Sequence, residues 1–183
     1  MDDYPNRQGQ TGNKSITVPR DAIGGPKEAA RMIERISSRT KDELSKNPEL
    51  AKLMSQIKMV DTTEGVRIDL VDDADFSMFN LGTTVLTREA TSLLGAIALA
   101  IEPEERKIIV RGHTDSLKWK HPGRVNNWSL SAGRAEATRQ TLMNEGIPDA
   151  SFRRIEGVAD TELLVKDDPS DPRNRRISIV LAH

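Results

Sequence analysis

Residues 110–135 constrain the fold more than any other stretch of this chain. Lys107-Ile-Ile-Val-Arg111 reads as a strand bound for the interior. It runs into Gly112-His113-Thr114-Asp115, a turn that sets a carboxylate at a strand end. Nineteen residues after Asp115, Arg134 falls on a predicted helix. Leu130, Arg134, Thr138 and Leu142 are spaced by four and so share one helical face. A guanidinium aligned with core residues needs an anionic partner at the edge of that core. Spacing leaves two readings open. Asp115 and Arg134 form an internal ion pair that closes the domain, or they stand as a dipolar socket for a zwitterion. In the socket, Asp115 takes an ammonium and Arg134 grips a carboxylate with both prongs of its guanidinium.

The remaining pattern places this pair in an α/β sandwich. Residues 1–25 are polar and rich in Gly, Asn, Gln and Pro, which predicts a flexible leader. Gly25-Pro26 opens a helix with proline at its first position, followed by a stripe of Ala29, Ile33, Ile36, Thr40 and Leu44. Asn47-Pro48-Glu49 is a second start signal, and Leu50, Leu53, Met54 and Ile57 continue at helical spacing. Residues 26–64 are thus expected to be a helical linker. A fully helical stretch from Pro26 to Lys58 would reach about 50 Å and would suit a regulated arm. Val66, Ile68 and Leu70 alternate with Arg67 and Asp69 as in a half-buried strand. Helices are predicted over 87–101 and 129–145, the second closed by Gly146, with strands at 107–111, 151–156 and 175–181. The order β-α-β-α-β-β over residues 65–183 predicts a two-layer α/β sandwich, a mixed sheet with helices on one face.

Composition narrows the function classes. Charged residues make up 30% of the 183, yet the formal net charge is −1, so no bulk field draws the chain to nucleic acid or anionic lipid. Aromatics at 3% leave few stacking platforms for bases. Zero cysteines remove disulfides and thiolate metal sites. No segment is long and apolar enough to span a bilayer, and residues 1–5 do not read as a signal peptide.

Three ordered motifs, Gly-His-Thr-Asp at 112–115, Asn-Trp-Ser-Leu-Ser-x-x-Arg-Ala at 127–135 and Asn-Arg-Arg-Ile at 174–177, resemble the OmpA-like peptidoglycan-binding domain. The resemblance covers residues 76–181. Within that family the run at 127–131 and the long loop at 116–126 are most similar to MotB, the B subunits of flagellar motor stators. The resemblance implies a cell-wall anchor without enzymatic activity or cofactor. Its ligand would be peptidoglycan, gripped at the diaminopimelate of the stem peptide by Asp115 and Arg134. It also implies a periplasmic homodimer, a single transmembrane helix ahead of this chain in the inner membrane, and a MotA-like transmembrane partner. A Pal-like lipoprotein or a type VI secretion anchor is the alternative setting of the same fold.

Three further residues join the candidate site. Asn127 matches a family position that faces the ligand, although it also reads as a helix N-cap. Thr114 could offer its backbone N–H to a ligand carboxylate. Arg175 and Arg176 precede the last strand where the family places an arginine pair beside the pocket. Alternation sends the two to opposite faces, and Arg175 is favoured.

Other chemistry is weaker. His113, His121 and His183 lack metal-ligand spacing, and Ser116, His113 and Asp115 are too close in sequence to align as a triad. The run Asp69, Asp72, Asp73 and Asp75 lacks the glycine and spacing of a calcium loop and reads as a solvated loop or a protected strand edge. The basic loop at 117–125 is a poor nucleic-acid footprint; in an anchor it would meet glycan or stem peptide. Nothing places paired carboxylates, a zinc trio or a Cys/His pair for cell-wall hydrolysis.

Overall fold

The structure, a computed structural model, describes residues 25–117 and 126–183. The expected leader and the greater part of the basic loop lie outside the described residues. Helix α1 (Pro26–Ser45) starts on Gly25 with proline at the first position and buries Ala29, Met32, Ile36, Thr40 and Leu44. The Thr40 hydroxyl donates to the Ile36 carbonyl at 2.8 Å, which satisfies the polar atom inside the stripe. A short α2 (Pro48–Ala51) follows, capped by the Asn47 side chain accepting from the Glu49 N–H.

The helical linker expected over 26–64 ends early. Lys52–Gln56 is a 3₁₀ turn, and Ile57–Asp61 is a strand, β1. Strand β1 pairs antiparallel with β2 (Gly65–Val71) through the turn at 62–64, with Ile57 opposite Leu70. Ile57 fits the helical spacing that begins at Leu50, but as the first of an alternating Ile57-Lys58-Met59 it fits a strand equally well. The hairpin decides, because pairing with β1 satisfies the outer edge of β2, which a helix over 57–61 would leave to water. Helix α1 lies on α3 (Arg88–Ile101) and α1 residues enter the main core, so the segment is docked rather than a 50 Å arm. Arg35 and Arg39 secure it by converging on Glu104 at 2.8 Å each.

The sheet order is β1-β2-β5-β3-β4, where β3 is Ile108–His113, β4 Phe152–Gly157 and β5 Arg176–Ala182. Only β3 and β4 run parallel; helix α4 (Asn127–Asn144) is the crossover between them. Val66, Ile68, Leu70, Ile108, Val110, Ile177, Ile179 and Leu181 face the helices. There they meet Leu93, Leu94, Ile97 and Ile101 of α3 with Ala135 and Leu142 of α4. The expected mixed sheet with helices on one face is therefore present, with one strand more than the sequence suggested. On the other face charged side chains pair across strands; Arg111 lies between Glu64 and Glu156.

Two glycines set how closely α4 approaches. A Cβ on Gly112 would overlap the Ser131 carbonyl, and one on Gly157 would overlap the backbone of Ala132. The start of α4 is thereby pressed onto the carboxyl ends of β3 and β4. The ends of β2, β3 and β4 and the start of β5 meet at this pole, since Val71 and His113 both lie opposite Arg176. At the other pole sit the 62–64 turn and His183, whose N–H donates to the Glu64 carbonyl. No helix among the described residues is long and apolar enough to cross a membrane.

Candidate functional site

The carboxyl-end pole holds a cluster of four charges. Asp115 leaves β3 by a turn in which its own Oδ1 accepts from the Leu117 N–H at 3.1 Å. Its Oδ2 accepts from Arg175 Nη1 at 2.8 Å, while Arg175 Nε donates to Asp72 at 3.2 Å. Arg175 therefore bridges two carboxylates. Burial works against its charge, but the hydrogen bonds to Asp115 and Asp72 outweigh that and raise its pKa.

Asp72 is the member that sequence reasoning missed. It was read with its neighbours as part of a solvated loop or edge, yet Asp72 is 4% exposed and Asp69 3%. Asp72 accepts from the Met78 N–H at 2.9 Å and the Ser77 hydroxyl at 3.0 Å, which fixes the chain after β2. Burial pushes its carboxyl above the ordinary range, opposed by the Met78 N–H, Arg175 and Ser77. The available signal was its place one residue past a strand that ends at the same pole as Asp115. Asp69 belongs elsewhere, on the open sheet face, paired with Arg67 at 3.0 Å.

Arg134 lies on the buried face of α4 with Leu130, Thr138 and Leu142, as its spacing requires. It does not pair with Asp115. Its Nε donates to the Thr83 carbonyl at 2.9 Å, and its guanidinium carbon stands 4.9 Å from the centre of the Phe79 ring. Among the described residues it makes no ion pair, although Asp72 and Asp115 act on it through space. Burial lowers its pKa, partly offset by Asp72, opposed in turn by Arg175. The internal-closure reading of the Asp115–Arg134 pair is thus replaced: Arg175 closes on Asp115, and among the described residues the terminal nitrogens of Arg134 have no hydrogen-bond partner. Such a cation, buried and held by its inner nitrogen, is prepared for a bidentate carboxylate.

Asn127 is the first residue of α4, not its cap. Asn126 is the N-cap, accepting from the Ser129 N–H, with Ser129 Oγ bonding back to complete a capping box. The Asn127 amide instead donates to the Asp115 carbonyl at 3.3 Å, tying helix to turn. The Thr114 N–H suggested for a ligand is already given to the Ala159 carbonyl at 2.9 Å. Thr114 lines the protein interior, and its hydroxyl is buried without a partner among the described residues. Arg175 and Arg176 were expected on opposite faces, yet both line the small cavity behind the cluster with Asp72, His113 and Arg134. Alternation does not separate them because β5 begins at Arg176, leaving Arg175 in the preceding turn. The loop at 158–175 closes over this end, with Asn174 bonded to Val165 and Asp168 and the Ser116 N–H given to the Pro169 carbonyl.

These features define an α/β module with Asp72, Asp115, Arg134 and Arg175 gathered at the carboxyl ends of its strands, the end at which open α/β sheets commonly carry their sites. The chain belongs to the OmpA family, whose model matches residues 78–176. It is similar to Motility protein B of Escherichia coli K12, 30% identical over 181 residues, 98% of this chain and 58% of that protein. The chain thus spans little more than half the length of that relative. A MotB-like protein from Desulfovibrio vulgaris shares the fold with a TM-score of 0.62 at 21% identity, covering 85% of this chain and 99% of that one. The cell wall anchor of the T6SS from Pseudomonas aeruginosa gives 0.59 at 23% identity, covering 79% and 98%.

Proposed function

We propose that this chain is the peptidoglycan-binding part of a stator protein of the MotB kind and attaches it to the cell wall without chemistry of its own. The observation that carries this reading is Arg134, a buried guanidinium bonded among the described residues only through Nε and acted on through space by Asp72 and Asp115. A zwitterionic amino-acid end, such as the free end of diaminopimelate in a stem peptide, matches both charges. Its carboxylate would take the terminal nitrogens of Arg134. Its ammonium would take Asp115, displacing or sharing with Arg175, which retains Asp72. Asn127 would hold the Asp115 turn in place, and Arg175 would set the carboxylate's orientation; Thr114 would contribute through the shape of that turn.

Family membership and the likeness to Motility protein B support a periplasmic setting, a homodimer and a MotA-like transmembrane partner for the whole protein. A single grip of two charge-assisted contacts is modest, and a dimer would raise it by avidity. The decisive experiment is co-sedimentation with purified diaminopimelate-type sacculi, using the chain and its Asp115→Ala and Arg134→Ala variants after circular dichroism has verified their folds. Wild-type binding lost in both variants is expected. Failure of the wild type to sediment would overturn the proposal, and release of soluble muropeptides would replace it with a hydrolase.

The T6SS cell-wall anchor at a TM-score of 0.59 favours a second setting for the same grip. Restoration of swimming in a motB-null strain by the full-length protein would separate the two: a stator part restores it and a secretion anchor does not.

A further inference from the structure

Behind the charged cluster lies a cavity of about 10 Å³, lined by Asp72, His113, Arg134, Arg175 and Arg176. Three arginines against one carboxylate suggest an anion at first sight. Two orphaned atoms argue otherwise. His113 and Arg176 are directly opposed across β3 and β5, and their side chains are 3% and 7% exposed. His113 Nδ1 and Arg176 Nε are both buried without a partner among the described residues.

The hydrogen-bond chain fixes what each can do. Ser178 Oγ donates to Asp69, a carboxylate already paired with Arg67. A hydroxyl has one proton, so toward His113 Ser178 can only accept, and the 3.2 Å contact to Nε2 requires the proton on Nε2. Nδ1 then carries a bare lone pair. Burial, with Arg176, Arg111 and Arg67 nearby, keeps the ring neutral down to about pH 2. Arg176 Nε is a donor only.

We infer that this cavity is a binding site for one uncharged group that donates to His113 Nδ1 and accepts from Arg176 Nε, and that a single water molecule fills it in the free protein. A halide or carboxylate oxygen would satisfy Arg176 but confront the lone pair of His113. An ammonium would do the reverse. The volume suits one water, which needs about 10–15 Å³. The water ties the last residue of β3 to the first of β5 behind the charged cluster.

Two measurements on the whole chain test this. Long-range proton–nitrogen correlation on uniformly ¹⁵N-labelled protein reports the histidine tautomer. His113 is identified by loss of its signal in His113→Gln or, should that variant unfold, by elimination with His121→Gln and His183→Gln. A fixed Nε2–H ring from pH 8 to 4 is expected; a protonated Nδ1, or titration near pH 6.5, overturns the inference. Crystals grown in sodium bromide test the occupant. Water density in the cavity without anomalous signal supports the inference, and a bromide peak there refutes it.

Discussion

Arg175 divides one guanidinium between Asp72 and Asp115, so that two buried side chains on different strand ends share one cationic partner. Removing Asp72 would leave Arg175 with one partner and orphan the Met78 N–H. Asp72→Ala should therefore cost about 1–3 kcal/mol in urea denaturation, the range for a buried donor left unpaired. It should also weaken sacculus binding, because the chain after β2 would lose its anchor. His113 gives a second residue-level expectation. Its folded pKa of about 2 lies below the ordinary histidine value, so on acidification the unfolded chain takes up the proton first. Stability is unaffected by this group above about pH 6.5 and falls as pH drops from there toward 2, by about 1.4 kcal/mol per pH unit for one proton. In urea titrations between pH 6 and 4, His113→Gln should flatten the slope by about that much. Of these residues, Asp115 and Arg134 were legible because a strand end and a helical stripe point to them. Asp72 was not, because a single acid among acids carries no spacing; only the pole at which its strand ends marks it out.

Elements decide how well those residues are held. The positions of Gly112 and Gly157 press α4 onto β3 and β4, so that Asn127 reaches the Asp115 carbonyl and Arg134 reaches Thr83. Gly112→Ala would force α4 outward, with a cost of about 1–3 kcal/mol for overpacking. Sacculus affinity should fall even where the variant still melts cooperatively, since the Arg134 and Asp115 ends would separate. Helix α1 is bound through a stripe that includes fully buried Ile36. Ile36→Ala should lower stability by about 2–4 kcal/mol, read by denaturation, with hydrogen exchange in α1 rising first. Element types were largely readable from periodicity and caps: Thr87 accepts from the Ala90 N–H as its position before α3 suggests. The error lay at residues 52–61, where Ile57 satisfies two periods at once and the hairpin partners, five to thirteen residues on, decide between them.

At the scale of the whole molecule the charged site and the ion pairs that dock α1 lie at opposite poles. Arg35 and Arg39, midway along α1, meet Glu104 just past the end of α3, so the excursion through α1, α2 and the 3₁₀ turn passes the pole away from the site. The Gln56 bond to Asp73, at 2.7 Å, places the end of that excursion at the site pole. If the site grips a fixed wall while a pull reaches the domain through the Glu104 contacts of α1, tension runs along α3 and the strands. Loaded in that direction, the hydrogen-bonded ladders β1–β2, β2–β5 and β3–β5 are sheared, and their bonds must yield together instead of opening one after another as a zip would. The domain is oriented as a tension member along its own grain.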